Sequence, residues 1–150
     1  MSLTLLPDVA KAVSYFLRQQ AEVTALVSDR VWTVIPAGVD AQTSPVFPLV
    51  RITRIGGRTT TGDAYWGAAD LVTVDAFAST RSGAAALAET CRAALAQRFT
   101  GTQVIDGSGS TIVVSATDPG GIRDLSAGDN APAGQHRSSF DVVVTSHPAP

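Results

Sequence analysis

The sequence predicts an α+β fold: a mainly antiparallel β-sheet with two principal helices packed on one face, and long loops. Three observations predict it. Two segments repeat apolar residues at helical spacing, and several others alternate apolar with polar residues as strands do. The elements follow in the order helix, strands, helix, strands. The strands are long and separated by Gly-, Pro- and Asp-rich turns, which suits hairpin connections. A chain of 150 residues is expected to be a single domain over 1–150. At this size folding buries about 70% of the unfolded surface without help from disulfides or metals.

The first helix starts at Pro7-Asp8, where proline is tolerated and an acid meets the positive end of the helix. Val9, Ala12, Val13, Phe16 and Leu17 form its apolar stripe, with Lys11, Ser14, Arg18 and Gln19 largely opposite. Val23, Leu26 and Val27 indicate a short second helix before Ser28-Asp29-Arg30. Val31 to Val34 is a candidate short strand. Ile35 to Pro48 holds three prolines and reads as a loop. Leu49 to Ile55 is a strand that ends at Gly56-Gly57, and Arg58 to Gly67 reads as a polar loop closed by Tyr65 and Trp66. Asp70 to Ala78 is the next strand.

Ser79 or Thr80 can cap the second principal helix. Leu87, Cys91 and Leu95 lie four apart on it, Ala84, Ala88 and Ala94 widen the stripe, and Gly101 is a candidate stop. Thr102–Ile105 and Ile112–Thr117 flank Asp106-Gly107-Ser108-Gly109 as a hairpin. Asp118 to Gln135 reads as the longest loop, and His136 to Ser146 as the last strand. The helices are expected to cover Val50, Ile52, Val72, Val74, Ile112, Val114, Phe140, Val142 and Val144. The other face would carry Arg51, Thr53, Thr73, Asp75, Ser115, Asp141 and Thr145, together with Leu71, Phe77 and Val143. Burying those three apolar side chains against a partner would contribute roughly 1.5–3 kcal/mol each before association costs.

Composition narrows the function. Charged residues are 16% of the chain and apolar residues 45%, which excludes a disordered or solvating chain. A net charge of −2 argues against binding nucleic acid by charge alone. Lys11 is the one lysine among eleven basic residues, and Glu22 and Glu89 are the two glutamates among thirteen acids, a bias of genomic rather than mechanistic character. The start of the chain reads as no signal peptide, and no run of 18 apolar residues suggests a membrane span.

Motifs for catalysis are missing. The sequence has no GxSxG elbow, no GxxxxGK[ST] loop and no HExxH pair. His136 and His147 are eleven residues apart, which puts them on opposite faces of a strand and reads as two solvent-facing histidines. Cys91 reads as a buried core residue. Gly56 to Asp63 could form an anion nest with Arg58, or a simple hairpin loop. Neither a catalytic residue nor a cofactor or metal site is therefore assigned, and the chain is expected not to be an enzyme.

Four segments resemble one family. Ala21–Val31 is similar to the small apolar turn followed by Asp-Arg-aliphatic of tail terminator, or tail-completion, proteins of long-tailed bacteriophages. Pro45-Val46-Phe47-Pro48-Leu49-Val50-Arg51-Ile52 resembles their proline-bracketed approach to the first long strand. Leu71–Ala78, followed by a helix through Leu87 and Leu95, resembles their strand and Ala-rich helix, and Arg137–Val144 their final strand. The resemblance covers roughly residues 5–146, and the loop at 118–135 is longer than the family pattern.

The resemblance implies a structural virion protein of the tail or neck, assembled in the host cytoplasm. It would form a homo-oligomer, a hexameric ring, at the head-proximal end of the tail tube. Its partners would be the tail tube protein and the head–tail connector protein, with DNA passing through the lumen without sequence-specific binding, and no membrane. On that reading Arg51, Asp75 and Asp141 make inter-subunit or axial contacts. Arg58, Tyr65, Trp66, Arg123 and Leu125 meet the tube or connector, and Asp63 and Asp124 line the lumen. A head-closure, adaptor or minor tail protein is the alternative within the same particle. A small ligand-binding or enzymatic domain using Gly56 to Asp63 is the alternative outside it.

Overall fold

The computed structural model describes residues 6, 8–36, 48–62, 65–126 and 136–148, the side chains of 60–62 and 65–66 excepted. Helix α1 spans Val9–Arg18 and is capped by Asp8, whose Oδ1 accepts from the Lys11 N–H at 3.1 Å. Helix α2 spans Ala21–Val27 and ends at Ser28, the one described non-glycine residue with positive φ (56°). Strand β1 is Val31–Trp32 and runs parallel to β2, Leu49–Gly62. Strand β3 is Tyr65–Ala78, and helix α3 is Arg81–Arg98. Thr80 caps α3, its Oγ1 accepting from Gly83 N–H at 3.0 Å. Strands β4 (Gly101–Val104), β5 (Thr111–Pro119), β6 (Arg123–Asp124) and β7 (His136–Pro148) complete the chain.

The sheet order is β1-β2-β3-β7-β5-β4, with β6 added to β7 beside β5. All pairs but β1–β2 are antiparallel, so the fold is α+β as the element order predicts. The inner face buries Val50, Ile52, Val72, Val74, Ile112, Val114, Phe140, Val142 and Val144 under α1 and α3. Cys91 lies in the same core, where burial pushes its thiol up to about 12. The sheet curls enough for α1 to touch both β1–β2 and β4 at the opposite edge. Lys11 on α1 accordingly pairs with Asp106, beyond β4, at 3.0 Å.

Several boundaries differ from the sequence reading. Arg58 to Gly67 is not a loop: β2 and β3 stay paired out to Gly62↔Tyr65, forming a hairpin arm. Its threonines and glycines carry no apolar alternation to reveal a strand, yet the backbone ladder does not require one. The strand beginning at Val31 stops after two residues, and Val34 is 79% exposed. Helix α3 ends at Phe99, with Gly101 (φ +82°) already opening β4. The loop at 118–135 begins as strand, because β7 offers an edge beyond β5. Gly120 N–H donates to the Asp141 carbonyl at 2.7 Å and Leu125 N–H to the Arg137 carbonyl at 2.9 Å. Residues 37–47 and 127–135 of the two expected long loops lie outside the described residues. His136 and His147 are half-buried within β7 rather than solvent-facing, because β7 is flanked by other strands along most of its length.

An ion pair also ties α2 to α3: Arg98 Nη2 lies 2.8 Å from Glu22 Oε1. The hydrogen bond from Arg98 lowers the Glu22 carboxyl from 4.5 to about 2. A carboxyl held low in the folded state binds fewer protons there than in the unfolded chain. Its contribution is complete above about pH 4.5 and is lost as pH falls toward 2. Urea midpoints measured from pH 7 to pH 2 should fall across that window, and the fall should be shallower in Glu22→Gln. An identical slope in both proteins would assign the acid sensitivity elsewhere.

Candidate functional site

Strand alternation leaves one face of the sheet without helices. Register places Arg51 (β2), Asp75 (β3) and Ser139 (β7) in one row across it, and Thr53, Thr73 and Asp141 in the next. Asp75 is 4% exposed and collects the first row. Its Oδ2 accepts from Arg51 Nη2 at 2.9 Å and Nε at 3.3 Å. Its Oδ1 accepts from the Ser139 hydroxyl and lies 3.9 Å from Arg137 Nε. The Arg51 and Arg137 guanidinium groups both lie over the Phe77 ring, 5.4 and 5.9 Å from its centroid, within cation–π range.

The second row centres on Asp141. Its carboxylate accepts from the Thr73 hydroxyl at 2.8 Å and from Arg123 through both terminal nitrogens at 2.9 and 3.2 Å. The Arg123 hydrogen bond, then that of Thr73, hold the Asp141 carboxyl below its ordinary value. Four predicted interface residues, Arg51, Asp75, Arg123 and Asp141, thus form two ion-pair clusters in adjacent rows of one face. The sequence reading missed Arg137 and Ser139. They share the strand parity of Asp141, so alternation along β7 could have found them.

The remaining candidates scatter. Leu125 follows β6 and is 44% exposed. Asp124 points to the opposite side, where its carboxylate pairs with Arg81 at the start of α3, 2.9 Å away. The backbone of Tyr65 and Trp66 pairs within the arm, but their side chains, like all of Asp63, lie outside the described residues. Arg58 is exposed on the arm.

A β-bulge governs the arm. Register shifts between Arg54 and Gly56, so Ile55 is left over and 53% exposed. Arg54, just before the bulge, shares the parity of Ile52 and falls on the helix side, where its Nε meets Asp70 Oδ1 at 2.6 Å. Arg58 falls on the same face as Arg51 and Asp75, opposite Ala69. Because Gly56 to Gly62 is extended, its N–H groups alternate in direction and do not converge as an anion nest would require. Gly57 has φ +143°, and a Cβ there would lie 2.6 Å from the Ala69 carbonyl oxygen and 2.9 Å from both Asp70 Cα and Oδ1. Gly57→Ala is expected to cost about 1–2 kcal/mol through strained backbone and a clash the ladder cannot relieve. A urea melt checks it, and an unchanged midpoint would mean that the bulge rearranges freely.

The carboxylates of the two clusters are engaged by guanidinium groups and hydroxyls. Among the described residues no group of His, Cys, Asp and Glu could hold a metal ion. What the face offers is a pre-ordered, half-polar surface rimmed by exposed arginine and by Val143, 37% exposed.

No curated protein matches the sequence. A chain of the virion of a native gene transfer agent particle is similar in fold, with a TM-score of 0.64 over 93% of each chain at 17% identity. A family match runs over residues 5–119, from before α1 to the end of β5, and stops short of Arg123, Arg137 and Asp141. That match covers most of the chain, and the chain therefore belongs to the phage tail termination protein family, as a structural protein of a phage tail.

Proposed function

We propose that the chain forms a closed ring on the head-proximal end of a phage tail tube, where it ends tube polymerisation and joins the tail to the head–tail connector. Family membership supports this reading. The observation that carries it is the helix-free sheet face, whose central acids, Asp75 and Asp141, are already paired within the chain. Such a face does not have to reorganise to dock, which cuts the cost of association. A ring needs a heterologous interface whose rotation closes, and the proposed contacts are Arg51, Asp75 and Asp141 between subunits. Arg58, Tyr65, Trp66, Arg123 and Leu125 are assigned to the tube or connector side. Asp63 and Asp124 are assigned to the lumen, where acidic side chains let DNA pass without holding it. The proposed role needs no catalysis and no cofactor.

Sizing with light scattering at micromolar concentration tests the ring, with six copies of the 15.5 kDa chain as the expected mass. Added to polymerising tail tube protein, the chain should cap growth and shorten the tubes. Monomers at every concentration, together with unchanged tube length, would overturn the proposal.

A further inference from the structure

Charges on the helix-free face divide into two kinds. Arg51, Arg123 and Arg137 lie beside the acids of their own chain. Arg58 and Asp118 do not: both are exposed, and neither side chain makes an ion pair or hydrogen bond with a described residue. Both belong to this face. The bulge puts Arg58 there, opposite Ala69 and through it Thr145. A second register shift in β5, between Val114 and Ala116, puts Asp118 opposite Val143, which faces Leu71. The two residues sit two residues apart along the strands, in adjacent outward-facing rows, with β3 and β7 between them. Three strand spacings separate them by roughly 14 Å, too far to pair within one chain. The curl of the sheet turns the two flanks away from each other. Among the described residues, one flank therefore carries an unpaired cation and the other an unpaired anion, the arrangement a head-to-tail contact between identical copies uses.

We propose that Arg58 of one copy pairs with Asp118 of the next, so that the partner met by these two flanks is a second copy of this chain. Arg58 is thereby moved from the tube or connector side to the contact between subunits. The inference rests on the ring reading and names one contact within it.

Charge reversal tests it. Arg58→Glu and Asp118→Arg should each raise the concentration needed for ring formation by about tenfold or more, since each sets like charges face to face at every interface. The double variant should return to the wild-type value. An equimolar mixture of the two single variants should also form rings, because alternating copies match at every contact when the subunit number is even. Asp29→Arg, at an exposed acid that follows α2, should not rescue Arg58→Glu. Arg58→Gln and Asp118→Asn give a milder pair should a reversal disturb folding, and each should weaken the ring. Rings indifferent to the reversals, or a double variant no better than the singles, would overturn the pairing and leave the ring standing. A wild-type chain that stays monomeric, even with isolated tail tubes present, would overturn both.

Discussion

Phe99→Ala is expected to lower stability by about 3–5 kcal/mol, the range for removing a fully buried aromatic ring. Phe99 is 0% exposed and ends α3. Its ring lies 4.8 Å from that of Phe16 on α1, tilted by 48°, a favoured aromatic geometry. Its carbonyl accepts from the Thr117 hydroxyl on β5 at 2.6 Å. One residue thus joins both helices to the far half of the sheet. Alanine would leave a cavity that these three elements cannot close together, because each is also fixed elsewhere. The expected fall in melting temperature is about 6–20 °C for a chain of this length. Phe99→Leu, which keeps most of the volume, should lose under about 1.5 kcal/mol. A loss below about 1 kcal/mol for the alanine variant would show that α1 settles onto α3 without the ring.

Asp75→Ala is expected to cost about 2–4 kcal/mol. The carboxylate is buried and serves Arg51, Arg137 and Ser139 at once. Removing one partner of a buried pair costs about 3–5 kcal/mol when the orphaned charge is enclosed. Here Arg51 and Arg137 are 35% and 33% exposed, so water takes up part of that penalty. The alanine also leaves Ser139 Oγ, in a wholly buried residue, without its acceptor. A double-mutant cycle with Arg51→Ala, read by urea melts, isolates the pair. The coupling should be about 1–2 kcal/mol, and a coupling near zero would mean that Arg51 is held by Phe77 rather than by Asp75. Asp75→Ala should assemble less readily than the wild type, because the two arginines over Phe77 lose their anchor.

Much of the fold was legible along the chain. The stripes of Val9–Leu17 and Leu87–Leu95, and the alternation at Leu49–Ile55, Asp70–Ala78 and His136–Ser146, gave the helices, the long strands and the buried face. These are local patterns with periods of 3.6 and 2, and burial enforces them residue by residue. The arm was not legible, because glycines and threonines in Gly56–Thr61 satisfy a strand without announcing one. Nor was the strand hidden in the expected loop after Asp118, since what recruits it is an open edge of β7 far away in sequence.

The candidate site divides in the same way. Parity along each strand by itself determined that Arg51, Asp75 and Asp141 share a face, and the missing motifs turned the reading away from an enzyme. The sequence likewise determined the family resemblance, which the match over residues 5–119 bears out. Tertiary structure decided who meets whom. It paired Arg51 with Asp75, Arg123 with Asp141 and Arg54 with Asp70, and it left Arg58 and Asp118 exposed on opposite flanks. The physical reason lies in register. One extra residue at the β2 bulge exchanges the faces of everything beyond it, and only the assembled ladder fixes where that residue falls.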